Sequence, residues 1–166
     1  YHPQQLVSYF GGKTMQIEER IQTLGVNLPV PPSPVANFIP VSQSGNIVYV
    51  SGQGPIVDGE PQYTGRLGEA CTIMDGYRAA EICGVNLLAH LKLYLGDLDR
   101  INKILKATVY VASTPDFFDQ PQVANGFSDM MVRIFGEKGR HTRCAVGLSS
   151  LPNNIPVEID LTVEVT

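Results

Sequence analysis

The strongest constraint on this chain lies at its C-terminal end. From Val157 to Val165, Val157, Ile159, Leu161, Val163 and Val165 alternate with Glu158, Asp160, Thr162 and Glu164. A period of two puts the branched apolar side chains on one face of a strand and the polar ones on the other. Such a strand needs a sheet with one covered face, because slipping it by one residue would turn its apolar set to water. The acids on its other face read as a solvated surface or as functional groups.

Other segments supply the rest of that sheet and its cover. Phe38 to Val50 reads as two strands joined by a turn at Ser44-Gly45-Asn46, and Asp58-Gly59 as a hairpin turn. Glu69 to Leu95 reads as a long helix ending at Gly96, with Ile73, Tyr77, Ala80, Gly84, Leu87/Leu88 and Leu91 at helical spacing. Ile104 to Ala112 is a strand. Ser113/Thr114 before Pro115 resembles a helix start, opening a helical region to about Phe135 that is interrupted or re-entered near Pro121. Arg143 to Ser150 is a further strand. Near the N-terminus, Met15 to Leu24 reads as a short helix with its exit at Gly25, followed by the proline-rich connector Val30 to Pro34. Hairpin-linked strands mixed with crossover helices predict an α+β fold, a mixed sheet with helices on one face.

Residues 1–14 carry no acidic side chain and no sustained period, and they are expected to be an upstream or vector-derived segment outside the fold. Residues 15–166 are expected to form a single domain. Glycine (16) and proline (12) make up about 17% of the 166 residues, below the level of a disordered chain. Charged residues are only 17%, against about 25% in an average domain. A surface so poor in charge would be explained by burial between copies of the chain.

The formal charge is −4, and the basic residues are scattered, which argues against binding nucleic acid through phosphate neutralisation. No apolar run approaches the roughly 20 residues that span a bilayer, and no secretory signal pattern opens the chain. Three cysteines, Cys71, Cys83 and Cys144, suggest free thiols in a reducing, cytoplasmic setting. Cys71 and Cys83, on one helix, would be about 18 Å apart, too far to bridge. There is no CxxC or HExxH pair, so neither a structural zinc site nor a zincin-type metal site is expected.

Chemistry-bearing candidates are few. In the strand from Arg143, Arg143, Ala145, Gly147 and Ser149 share one face and Cys144, Val146 and Leu148 the other. The second set is the more apolar, so it is expected to face the core, leaving Cys144 inert and Arg143 pointing away from the core. Arg143 then reads as an ordinary surface residue or as a fixed fork for a carboxylate. Leu151-Pro152-Asn153-Asn154 is a turn, so this strand and the last one could pair, with Arg143 and Glu158 on one non-core face. Ser51-Gly52-Gln53-Gly54 lacks the spacing of a P-loop but suits a strand end that a small ligand approaches closely. Among the histidines, His90 reads as packing or surface, and His141 as a possible pocket residue.

Two motifs together resemble a known pattern. They are Arg143-Cys-Ala-Val-Gly-Leu-Ser-Ser-Leu151-Pro152 and Pro156-Val157-Glu158-Ile159-Asp160. They resemble the C-terminal signature of the RidA/YjgF family, the reactive intermediate or imine deaminases, once labelled L-PSP endoribonucleases. Val48 to Gln53, Leu105 to Val111 and Asn125 extend the resemblance over roughly residues 15–166. It implies a chorismate-mutase-like fold with two long helices on one side of the sheet. It also implies a homotrimer with active sites between subunits, and hydrolysis of 2-imino acids to 2-oxo acids and ammonia without a cofactor. Position by position, Arg143 matches the arginine that holds the substrate carboxylate, and Glu158 the glutamate that positions water. Ser51, Gly52 and Asn125 match pocket residues. Phe38 stands where the family often has tyrosine, and Ala145 where it often has cysteine, which marks a divergent subgroup. The implied partner is a small carboxylated metabolite, with neither nucleic acid nor membrane. The alternatives are a non-catalytic trimer that binds a 2-oxo acid and, behind it, an endoribonuclease; chorismate mutase activity would rest on fold analogy alone.

Overall fold

The computed structural model describes Tyr9–Phe10, Lys13–Thr14 and residues 16–166. The expected boundary between an extraneous segment and the domain therefore falls largely outside the described residues, as does Met15. The described part of that segment is an antiparallel ribbon, β1 (Tyr9–Phe10) with β2 (Lys13–Thr14). Helix α1 (Gln16–Thr23) follows, its first backbone N–H groups donating to the Asp99 carboxylate at 2.9 and 2.8 Å. A carboxylate there satisfies the unpaired donors of the first turn.

The main sheet contains β3 (Val41–Ser44), β4 (Ile47–Gln53), β7 (Ile101–Ala112), β8 (Thr142–Leu148) and β9 (Val157–Val165), in the order β3-β4-β9-β7-β8. All neighbours are antiparallel except β7 and β8, which run parallel. Between β4 and the next helix, β5 (Ile56–Val57) and β6 (Glu60–Pro61) make the expected hairpin, with Asp58 and Gly59 at φ 52° and 80°. Positive φ at both central residues is what this turn requires. Helices α2 (Ile73–Leu95) and α3 (Gln120–Phe135) pack on one another and on one face of the sheet. The predicted α+β architecture and the alternation of β9 are both present: the apolar members of β9 are at most 3% exposed.

Helix boundaries moved where local chemistry outranked periodicity. Helix α2 starts at Ile73 rather than Glu69, because Thr72 and Asp75 form a capping box: the Asp75 N–H donates to Thr72 Oγ1 (3.1 Å) and the Thr72 N–H to Asp75 Oδ2 (2.9 Å). The apparent start at Ser113/Thr114 is a turn, in which Thr114 Oγ1 donates to Asp116 Oδ1 at 2.7 Å. Helix α3 opens at Gln120, with Pro121 in its first turn. At the crossing of α2 and α3 only glycine fits at 126, since a β-carbon there would run into the Tyr77 carbonyl.

Two readings of β8 are corrected. It does not pair with β9, because β7 lies between them. Nor does its apolar side face the core. Arg143 stands opposite Ala107 and Ala145 opposite Val109, both core positions, and Ala145 packs against the core. Cys144, Val146 and Leu148 point to the sheet face that the helices leave open, and Cys144 is exposed. The cause is α3, which covers the side of the edge strand that carries Arg143. His90 on α2 is buried, as are Cys71 and Cys83. Among the described residues, no helix is long and apolar enough to cross a membrane.

Candidate functional site

The seven candidate side chains fall into two groups. The first lies where β8 meets α3. Helical spacing puts Asn125 and Ser128 on one face of α3, and β8 delivers Arg143 to that face. Arg143 Nη1 donates to Asn125 Oδ1 (2.9 Å) and to Ser128 Oγ (3.1 Å), and Nη2 donates to the Pro121 carbonyl at 3.4 Å. Ala145 continues the same strand face towards the core.

All three partners of Arg143 are neutral. Among the described residues, no carboxylate lies within ion-pair distance of it. Of its five N–H groups, Nε–H and one on Nη2 have no acceptor among the described residues. A half-buried guanidinium with unused donors and no counter-charge is a seat for an anion, and its flat fork suits a carboxylate.

The second group lies where β4 meets β9. The two strands lose register between Val50 and Gln53, a bulge that contains Ser51 and Gly52. Glu158 rests against Gly52: a β-carbon on that glycine would stand 3.0 Å from the glutamate Cδ and 3.1 Å from Oε1. Ser51 ties the incoming loop to β4, its N–H donating to the Pro40 carbonyl (2.8 Å) and its Oγ to that of Ile39 (3.1 Å). Phe38 sits in that loop, 51% exposed. Beside them on the open face is a depression of about 510 Å³, lined by Ser51, Gly52, Tyr49, Lys106, Thr108 and Asp160 among others.

Electrostatics differ between the groups. Burial raises the Glu158 carboxyl above the usual glutamate range, and the nearby Asp160 charge adds to this. Asp160 accepts from the Tyr110 hydroxyl at 3.1 Å. In the first group, burial lowers His141; its hydrogen bond to the Gly139 carbonyl opposes that, and the Arg143 charge reinforces it. Ser128 and Asp160 were not singled out in the sequence. The three-residue step from Asn125 to Ser128 and the two-residue step from Glu158 to Asp160 were the available signals. Among the described residues, no group of three or more His, Cys, Asp or Glu side chains could hold a metal ion.

A family profile described as "YjgF/chorismate_mutase-like, putative endoribonuclease" matches residues 18–165. Protein TCP17 of Trypanosoma cruzi is 41% identical over 150 residues, spanning 90% of this chain and 94% of that protein. The crystal structure of Atu1372 from Agrobacterium tumefaciens, whose function is unknown, superposes with a TM-score of 0.86 at 45% identity, over 92% of this chain and 95% of that one. Escherichia coli TdcF, solved with bound serine, shares the fold at 19% identity and a TM-score of 0.61, over 82% of this chain and 94% of that one.

Proposed function

The chain belongs to the YjgF/chorismate mutase-like family, and from that premise we propose that it hydrolyses small 2-imino or enamino acids to 2-oxo acids and ammonia, at sites shared between copies in a homotrimer. The observation that carries this reading is the Arg143 fork, held by neutral acceptors and left with Nε–H and one Nη2–H to give. Those two donors grip the substrate carboxylate and orient the adjacent imine carbon. Glu158 aligns a water molecule and takes its proton as the oxygen attacks that carbon. The substrate reacts as its iminium form, so the electron pair of the C=N bond moves to a nitrogen that already carries its proton and leaves a neutral carbinolamine. Glu158 returns its proton to the amine as the C–N bond breaks, ammonia leaves, and the hydroxyl proton passes to solvent to give the 2-oxo acid. A carboxyl raised above its ordinary range suits this exchange, since it holds a proton more readily than a solvated glutamate. Orientation supplies the larger share of the acceleration, up to about 7–11 kcal/mol in well-oriented reactions. The chemistry as written calls for no cofactor.

The division into two groups supports shared sites. In one copy, Arg143 lies on the covered side of the sheet and Glu158 on the open side. In the proposed trimer, the β8 edge of a neighbour seated on the open face brings that copy's Arg143 to this Glu158. Tyr49, Val146 and Leu148, exposed on that face at 50%, 40% and 38%, are apolar area that such a contact would bury. Purified protein should accelerate ammonia release from freshly generated 2-iminobutyrate, and Arg143→Ala should abolish the acceleration. Wild-type rates equal to buffer would refute the hydrolytic reading. The serine bound to TdcF favours a second reading, in which the same fork holds a small carboxylated metabolite without turnover; saturable 2-oxo acid binding with no ammonia release would establish that instead.

A further inference from the structure

Arg143 does not rest on Ser128 alone. The Ser128 hydroxyl accepts from Arg143 Nη1 at 3.1 Å and lies 2.8 Å from His141 Nε2. On the other side of the imidazole, His141 Nδ1 lies 2.7 Å from the Gly139 carbonyl. A carbonyl only accepts, so Nδ1 carries a proton, and in the neutral imidazole Nε2 is then the acceptor. The serine proton then points to Nε2, leaving the lone pairs of Oγ for the guanidinium. Every link has one donor and one acceptor: Arg143 to Ser128, Ser128 to His141, His141 to Gly139. The ring cannot turn freely within this chain, because Phe127 meets it edge-on, with centroids 5.4 Å apart and planes at 63°. Phe127 is itself fully buried on α3.

We propose that Ser128 and His141 are positioning residues for Arg143, a relay anchored on the Gly139 carbonyl that fixes the guanidinium so that its Nε and Nη2 donors face the substrate carboxylate. This rests on the carboxylate-holding role assigned to Arg143 above. Without Ser128, only Asn125 and the longer 3.4 Å contact to the Pro121 carbonyl would hold the guanidinium; the second acceptor on Nη1 sets its plane. The relay needs a neutral imidazole, because a proton on Nε2 would turn that nitrogen from acceptor to donor and leave the Ser128 O–H without its acceptor. Burial of His141 and the charge of Arg143 both favour that neutral form.

The test uses the full-length protein, with pyruvate as carboxylate probe and pyruvamide as its neutral counterpart. Wild-type protein should bind pyruvate in preference. Ser128→Ala and His141→Phe should each weaken pyruvate about tenfold while changing pyruvamide by less than about twofold, as for loss of a hydrogen bond to a charged group. Ser128→Thr, which restores the hydroxyl, should recover most of the loss. With 2-iminobutyrate the two damaging variants should raise KM more than they lower kcat. If Arg143→Ala abolishes the pyruvate preference while Ser128→Ala and His141→Phe keep it, the relay is refuted and the role of Arg143 stands. If Arg143→Ala keeps the preference, the role of Arg143 itself fails and the relay with it. Nitrogen-15 spectra of His141 in wild-type protein test the relay without any variant: an Nδ1–H tautomer supports it and an Nε2–H tautomer overturns it. Labelling of Ser128 by a sulfonyl fluoride would also overturn it, as that would mark the hydroxyl as a nucleophile.

Discussion

Arg143 and Glu158 stand on opposite faces of one sheet. Arg143 is level with Ala107 on β7 and Glu158 with Tyr110, two strands and three residues away. Strand spacing and rise put their α-carbons about 14 Å apart, with side chains departing in opposite directions. A single copy therefore holds the two candidate groups apart, each with its own supporting residues.

Subunit mixing tests whether those groups meet between copies. Arg143→Ala and Glu158→Gln proteins should each be inactive alone. Refolded or co-expressed together in equal amounts, they should recover about a quarter of wild-type activity, the fraction of sites in a randomly mixed closed ring that receive both intact groups. A mixture as inactive as its parents would place both groups in one chain's site and undo the shared arrangement.

The acidic limb of the pH–rate profile should report Glu158. Burial first and Asp160 second raise its carboxyl, so kcat/KM should fall on acidification at a pH above the ordinary glutamate value of about 4.3. Asp160→Asn removes the second cause and should move that limb to lower pH. The stability effect runs the other way. A carboxyl raised in the fold favours the native state below its unfolded pKa, and that contribution is lost as pH rises through the folded value. Glu158→Gln should flatten that part of the stability profile, read by urea unfolding at a series of pH values.

Gly52→Ala separates geometry from stability at the second group. The new methyl would meet the Glu158 carboxylate at about 3.0 Å, which forces it aside by a few tenths of an ångström. Displaced catalytic groups lose rate steeply, and kcat/KM should drop by about tenfold or more. Thermal unfolding should change little, because the glutamate can give way toward solvent. Unchanged kinetics would mean that this contact does not position Glu158.

Gly126→Ala should act in the opposite sense. Its methyl meets the Tyr77 backbone, which cannot swing aside as a side chain can. Helices α2 and α3 would have to separate, at a cost of about 1–3 kcal/mol or more. Equilibrium unfolding in urea would show the loss as a lower midpoint with an unchanged slope.

Much of this arrangement could be read from residues alone, and the rest fails for identifiable reasons. In β9, branched residues alternate with acids, so the two faces differ sharply and parity is unambiguous. In β8 both faces carry small or apolar residues, and the arginine on one of them suggested solvent; the covering helix, not composition, decides which side is buried. The turn at 151–154 suggested that β8 and β9 were neighbours. The decisive element was α3, a crossover that brings β8 back parallel to β7, a connection that a strand–helix–strand order makes natural. The family motifs singled out Arg143, Glu158 and Asn125 along the chain. Their separation into two groups depends on which strand lies between β8 and β9, which no local pattern encodes.

The orientation of β8 also gives the protein a built-in optical handle. Cys71 and Cys83 are buried, with thiols that burial raises above the ordinary range, whereas Cys144 is exposed on the open face beside Val146. A chromogenic thiol reagent should thus titrate one fast sulfhydryl per isolated chain. Under conditions where copies cover that face, the fast phase should shrink in proportion to the covered fraction. Reaction amplitude against protein concentration then becomes an association curve, obtained from the wild-type sequence without an engineered label.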